Sequence, residues 1–134
     1  MERINYILLI DDDAITNFIN TTIISHCEVA SEITVASSGM EGLREVMEHC
    51  DHYDKTCFTT IFLDINMPVM NGFDVLEELR ILDGAADHIK VFMLSSSSLE
   101  ADRIRAYKFN IAGYIEKPLT EEKVNEALSS LVYV

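Results

Sequence analysis

The chain has 134 residues, a length that suits one domain, and no apolar run in it approaches the ~20 residues of a membrane-spanning helix. Hydrophobic residues make up 49% and charged residues 25%, which provides for a core and excludes a disordered chain. The net charge of −13 argues against direct nucleic-acid binding, which needs Lys and Arg clustered at phosphates, and favours neutral or basic partner surfaces.

In chain order, Met1-Glu2-Arg3-Ile4-Asn5 carries mixed charge and leads into a short apolar stretch that soon meets Asp11, Asp12 and Asp13. A secretory signal needs a longer apolar region and small residues at a cleavage site, so a cytoplasmic protein is expected. Cys27, Cys50 and Cys57 are odd in number and lack a C-x-x-C spacing, which fits a reducing compartment.

Residues 6–10 form the first strand-like run, followed by a segment in which Ile15, Phe18, Ile19, Thr22 and Ile23 could share one helix face. Residues 33–36 are the second run. The helix after it opens on Ser38 with Glu41 three residues later, a capping box, and carries Met40, Leu43, Val46, Met47 and Cys50 at helical spacing. The polar stretch 49–57 reads as a loop, and its His49, Cys50, His52 and Cys57 match no standard zinc spacing. The third run, 58–63, is followed by an Asn71-Gly72 turn and by Phe73, Leu76, Leu79 and Leu82 on one helix face, until Asp83-Gly84 ends that helix. Run 91–94 precedes a helix that Ser98 can cap. Run 112–115 precedes one that Thr120 can cap, with Glu121 and Glu122 near the positive end of the dipole and Val124, Leu128 and Leu131 as its buried stripe.

Strands alternating with helices predict an α/β chain of (βα)₅ type, a doubly wound five-stranded parallel sheet with helices on both faces, and the expectation is a single domain over 1–134 with no output domain. Three of the runs are almost continuously apolar, as strands buried on both faces must be.

In such sheets, ligands bind beyond the carboxyl ends of the strands. There the first run meets Asp11-Asp12-Asp13, the third Asp64, the fourth Ser95-Ser96 and the fifth Lys117-Pro118. Crowded carboxylates repel: at ~4 Å and an effective dielectric of ~20 each pair costs about 4 kcal/mol, so one is protonated or a cation is present. Mg²⁺ suits the site, since it takes carboxylate and water oxygens and shares them with phosphate. Asp11, Asp12 and Asp64 together with Mg²⁺ and Lys117 sum formally to zero charge. Lys117 and the Ser95 hydroxyl can donate to phosphoryl oxygens, and a carboxylate such as Asp64 can attack a phosphoryl group and hold it as an acyl phosphate. Taken alone, the three aspartates read equally as a helix cap with solvated acids, and Asp13 is assigned that role.

The runs Leu8-Leu9-Ile10-Asp11-Asp12-Asp13, Leu63-Asp64-Ile65-Asn66-Met67-Pro68-Val69-Met70-Asn71-Gly72, Met93-Leu94-Ser95-Ser96 and Gly113-Tyr114-Ile115-Glu116-Lys117-Pro118 resemble the receiver domains of two-component response regulators. The resemblance covers essentially the whole chain, with the motifs in order. It implies a flavodoxin-like strand order 2-1-3-4-5 and a phosphoprotein of a phosphorelay. Asp64 would accept a phosphoryl group from a phosphohistidine on a sensor histidine kinase or a His-phosphotransfer protein. Asp11, Asp12, Asp64 and the backbone carbonyl of Asn66 would hold Mg²⁺, with Mn²⁺ or Ca²⁺ as substitutes.

By the same resemblance, Ser95 and Lys117 would bind the phosphoryl group, and Tyr114 would turn inward as the aromatic switch when Ser95 moves. A downstream protein would read the fourth helix, fifth strand and fifth helix, a face also open to homodimer formation. No catalysis beyond the chain's own phosphorylation and dephosphorylation is implied, and no contact with membrane or nucleic acid. The Lys117–Pro118 bond is often cis in this family. Ser96 stands where Ala is frequent, and the 49–57 loop is longer than in minimal receivers.

An aspartate-nucleophile phosphohydrolase of the haloacid dehalogenase type would need a second Asp two residues after the nucleophile, where this chain has Asn66. Asp11 and Asp13 have that spacing, but Ile15 stands where Thr is expected. A flavodoxin-type FMN carrier would need a hydroxyl- and glycine-rich loop after the first strand. A pseudo-receiver that binds partners without phosphorylation is the remaining alternative.

Overall fold

The computed structural model describes residues 6–30, 32–50, 59–81, 89–96 and 99–131, apart from the side chains at 49 and 50. Strands and helices alternate along them: β1 (Tyr6–Ile10), α1 (Ala14–Cys27), β2 (Ile33–Ala36), α2 (Gly39–Cys50), β3 (Thr59–Asp64), α3 (Gly72–Ile81), β4 (Ile89–Ser95), α4 (Glu100–Tyr107), β5 (Gly113–Glu116) and α5 (Glu121–Ser129). Every pairing is parallel, in the order β2-β1-β3-β4-β5. The flavodoxin-like order and the (βα)₅ architecture are as expected.

β1 shows why its sequence is apolar throughout. Tyr6, Leu8 and Ile10 enter one core with Leu43, Val46, Val75, Leu76 and Leu79 of α2 and α3. Ile7 and Leu9 enter the opposite core with Ile24 of α1 and Val124 and Leu128 of α5. Side chains alternate across a strand, so both faces bury apolar groups, each contributing roughly 1.5–3 kcal/mol when fully buried. Phe62 of β3 stacks on Phe92 of β4 in the second core, with ring centroids 5.5 Å apart.

Three strands run past their apolar runs. Asp64 pairs with Leu94, and Ser95 pairs with Glu116. Backbone hydrogen bonding does not stop where hydropathy does, so the polar strand ends stay in the ladder. β4 also starts earlier than its apolar core, at Ile89.

Caps fix the helix entries. Asp13 accepts from Ile15 N at 3.1 Å and from Thr16 Oγ1 at 2.7 Å, as its assigned role requires. Ser38 Oγ accepts from Glu41 N at 3.1 Å, while the Glu41 carboxylate takes the N–H of Ser37 rather than that of the cap residue. Asn71 and Asp74 exchange reciprocal 3.0 Å bonds at the start of α3. Thr120 caps α5. At α4 the N-cap position is Leu99, whose side chain has no polar atom. The expectations placed on Ser98, on Leu82 and Asp83-Gly84, and on residues 51–57 of the loop fall outside the described residues, while His49 and Cys50, expected to open that loop, are the last two residues of α2. The Lys117–Pro118 bond is cis.

α1 corrects the reading of its apolar face. Ile15 is 71% exposed, Phe18 73% and Ile19 50%, and Thr22 is exposed too, whereas Asn17, Asn20 and Ile24 are buried; of the expected face only Ile23 packs against the core, and it is partly buried. The helix starts beside the polar loop after β1, and its inner side is claimed there by Asn17, whose amide donates to the Asp11 carbonyl at 2.7 Å. α2 is also rotated from its apolar count: Leu43 and Val46 are buried, but Met40 and Met47 are exposed. Gly39 and Gly42 complete the inner stripe. A Cβ on Gly42 would fall 2.4 Å from Ile10 Cδ1, so the helix backbone lies directly against β1.

Candidate functional site

β1 and β3 are neighbours whose chains leave in opposite directions, to β2 and to β4. The loops after such strands diverge and open a crevice beyond their carboxyl ends. Asp11 directly follows β1, Asp64 ends β3, Ser95 ends β4, and Lys117 directly follows β5. Four separate apolar strands thus deliver four polar residues to one edge of the sheet.

One carboxylate oxygen from each of Asp11, Asp12 and Asp64 lies within 4.8 Å of the others. Asp11 and Asp64 are buried, at 3% and 4% exposure, while Asp12 is exposed. Lys117 Nζ lies 2.9 Å from Asp64 Oδ1 and 3.2 Å from Asp11 Oδ2. The other Asp11 oxygen accepts from Asp13 N at 2.9 Å, and Asp64 accepts from the Asn66 N–H. Burial raises the Asp64 pKa; the Lys117 hydrogen bond opposes this, and the Asp11 charge reinforces it, leaving the carboxyl above its ordinary value. For Lys117 burial acts downward, but Asp64 and Asp11 outweigh it and hold the ammonium above its ordinary value.

Three carboxylates against one ammonium leave an excess equal to the charge of one divalent cation. All the donors are oxygen, which fits Mg²⁺ and not a soft metal.

Ser95 is fully buried, and its carbonyl accepts from Lys117 N at 2.7 Å, which ties β4 to the start of the β5–α5 loop. Ser96 is exposed. Tyr114 is partly buried against the core on the α2 and α3 side, and its hydroxyl is enclosed without a hydrogen-bond partner among the described residues. Asn66 is exposed in the loop after β3. In that loop Gly72 N donates to Ile65 O at 2.8 Å, and a Cβ on Gly72 would meet Asp64 O at 2.6 Å and Ile65 Cα at 2.9 Å. Only glycine lets α3 begin this close to Asp64.

Asn17 supports the site in a way its spacing does not reveal. It is 4% exposed and holds the Asp11 carbonyl, so the acid loop is fixed from α1. The available signal was a polar residue between Thr16 and Phe18, which reads as surface when the outward face is itself apolar.

The model of the response regulator receiver domain family matches residues 7–129, and the chain belongs to that family, whose members are the receiving domains of two-component signalling. Chemotaxis protein CheY of Thermotoga maritima is 29% identical over 127 residues, which cover 93% of this chain and 95% of that protein. The probable transcriptional regulator ycf29 of Porphyra purpurea is 31% identical over 101 residues, covering 75% of this chain and 44% of that protein. The chain spans about half the length of the first of these curated relatives, ycf29 among them. A two-component response regulator from Cytophaga hutchinsonii superimposes with a TM-score of 0.84 at 32% identity over 96% of both chains. The phosphohydrolase alternative is not supported. Among the described residues no helix is long and apolar enough to cross a membrane.

Proposed function

We propose that Asp64 accepts a phosphoryl group in a Mg²⁺-dependent reaction from a phosphohistidine, carried by a sensor histidine kinase or a histidine-phosphotransfer protein, and that the domain then changes its affinity for a downstream protein. The observation that carries this reading is Lys117 bridging two buried carboxylates, 2.9 Å from Asp64 and 3.2 Å from Asp11, at the β1/β3 switch point of a receiver-family chain. The proposed Mg²⁺ ligands are Asp11, Asp12, Asp64 and the backbone carbonyl of Asn66. When bound, the ion offsets the carboxylates and the charge on phosphoryl oxygens.

An Asp64 oxygen attacks phosphorus, the P–N bond to the donor imidazole breaks, and its electron pair leaves with the nitrogen. Lys117, already at hydrogen-bond distance, turns an N–H toward the arriving phosphoryl oxygens, and Ser95 supplies a hydroxyl from the end of β4.

Support for a switch comes from Tyr114. A hydroxyl enclosed without a partner among the described residues costs about 1–3 kcal/mol, which favours a second arrangement of the ring when Ser95 moves. The proposed readout face is α4, β5 and α5, where a groove of about 330 Å³ lies among Tyr107, Tyr114, Glu116 and Glu126. The same face is the proposed homodimer surface, and the proposed compartment is the cytoplasm.

To test the acceptor role, the protein is incubated with Mg²⁺ and acetyl phosphate and its intact mass is measured. A gain of one phosphate that disappears in Asp64→Ala is expected. No gain in the unmutated protein overturns the reading and leaves the phosphorylation-independent pseudo-receiver in its place.

A further inference from the structure

A lysine is poorly placed in the first turn of a helix, where the positive end of the dipole favours Asp and Glu. α5 nonetheless carries Lys123 there, its backbone N–H donating to the N-cap Thr120 Oγ1 at 3.1 Å. The side chain folds back over the helix start: Nζ donates to Glu116 O at 2.7 Å and to Pro118 O at 3.1 Å. An ammonium has three donors, and two charge-assisted bonds to carbonyls repay its placement against the dipole.

Those two carbonyls flank Lys117. The Lys117 backbone N–H is itself fixed, to Ser95 O at 2.7 Å. The residue that reaches Asp64 and Asp11 is therefore held from β4 on one side and from α5 on the other. A lysine side chain is a flexible stem, so the position of its ammonium depends on where the backbone starts it. Among the described residues Lys123 bonds to neither the carboxylates nor the loops after β1 and β3, and it is only partly buried, so replacing it opens no core cavity.

We infer that Lys123 is a positioning residue: by clamping the carbonyls of Glu116 and Pro118 it sets the backbone from which Lys117 reaches the Asp64 phosphoryl site. The inference rests on the acceptor role of Asp64. It separates two functions of the site, because Lys123 acts on the lysine that meets the phosphoryl group and not on the carboxylates that meet the metal.

The test compares Lys123→Met, which keeps the stem and removes the donors, with Lys123→Arg, which restores donors. Three quantities are measured on the full chain: the labelling rate with acetyl phosphate, the Mg²⁺ dissociation constant by calorimetry, and the hydrogen exchange of the Lys117 ammonium by NMR. Lys123→Met is expected to slow labelling roughly tenfold, since small misplacements of a charged group in a transition state have effects of that order or larger. Its Mg²⁺ affinity stays within about twofold, its Lys117 ammonium exchanges faster, and Lys123→Arg recovers most of the rate. Unchanged labelling and unchanged Lys117 exchange in Lys123→Met overturn the inference, as does a parallel loss of Mg²⁺ affinity. If the unmutated protein is not labelled at all, the acceptor role fails, and the Lys117 exchange alone still reports whether Lys123 positions it.

Discussion

The Lys117 ammonium lies 2.9 Å from Asp64 Oδ1, yet the Asp64 carboxyl is held above its ordinary value. Burial is the larger influence, and the single ammonium is shared with Asp11 at 3.2 Å. One cation between two buried carboxylates leaves the site short of positive charge, and that shortage has measurable consequences for stability.

Asp64→Asn is expected to stabilise the metal-free protein. A folded pKa raised above 3.8 means that the folded chain takes up this proton more readily than the unfolded chain. Stability from this group therefore rises as pH falls through the folded pKa toward 3.8, and at neutral pH the ionised carboxylate is a cost. Removing the charge should raise the melting temperature at pH 7 and flatten the acid side of the pH profile. Thermal melts in chelator at several pH values measure this, and a lower melting temperature for Asp64→Asn contradicts it.

Mg²⁺ should stabilise by mass action, because the three carboxylates converge only in the folded chain. At ten times its dissociation constant a ligand specific for the folded state adds about 1.4 kcal/mol. Asp12 is exposed, so Asp12→Ala should leave metal-free stability within about 0.5 kcal/mol while removing most of the Mg²⁺ increment. Melting curves with and without Mg²⁺ decide the point; an Asp12→Ala protein that keeps the full increment does not hold the ion as proposed.

The inverted face of α1 gives a third expectation. Phe18→Ser should change stability by no more than about 0.5 kcal/mol, because the ring is already 73% exposed, whereas Ile24→Ala should cost about 2–5 kcal/mol. Urea unfolding of the two variants measures the difference, and a large loss in Phe18→Ser would mean that the outward face is covered.

That helix also marks how far residues alone could be read. Strands buried on both faces announce themselves by unbroken apolar runs, so the sheet and the strand-end positions of Asp11, Asp64, Ser95 and Lys117 were legible. Periodicity identified α1 as a helix but not which side of it faces in. Its inner side was decided by a polar demand, the Asp11 carbonyl that Asn17 satisfies, which an apolar count does not detect. Lys123 was invisible for a related reason: its partners are carbonyls, and backbone atoms leave no mark in a sequence.

Gly72→Ala should be costly despite its small size. The added methyl would lie 2.6 Å from Asp64 O and 2.9 Å from Ile65 Cα, both backbone atoms that cannot swing away. Relief requires the start of α3 to move off β3, at about 1–3 kcal/mol for overpacking of this kind, and it displaces the segment that bears Asp64. Urea unfolding should show the loss, and the labelling rate with acetyl phosphate should fall with it. A variant that unfolds at the unmutated midpoint would show that the loop yields freely.

Val69→Gly, in the same loop, should have the opposite sign. Val69 adopts φ 67° at the centre of a tight turn closed by Met70 N donating to Pro68 O at 2.7 Å. A left-handed backbone costs an L-residue roughly 1–2 kcal/mol, and a β-branched side chain tolerates it poorly. The side chain is wholly exposed, so deleting it sacrifices no packing. Glycine loosens the unfolded chain, which takes back about 0.4–1 kcal/mol. The balance is a gain of about 0.5–1 kcal/mol, visible as a higher urea midpoint at unchanged slope. Labelling at saturating Mg²⁺ should stay at the unmutated rate, because no atom of the Val69 side chain enters the site. A midpoint at or below that of the unmutated protein would mean that the turn at Val69 carries no strain to release.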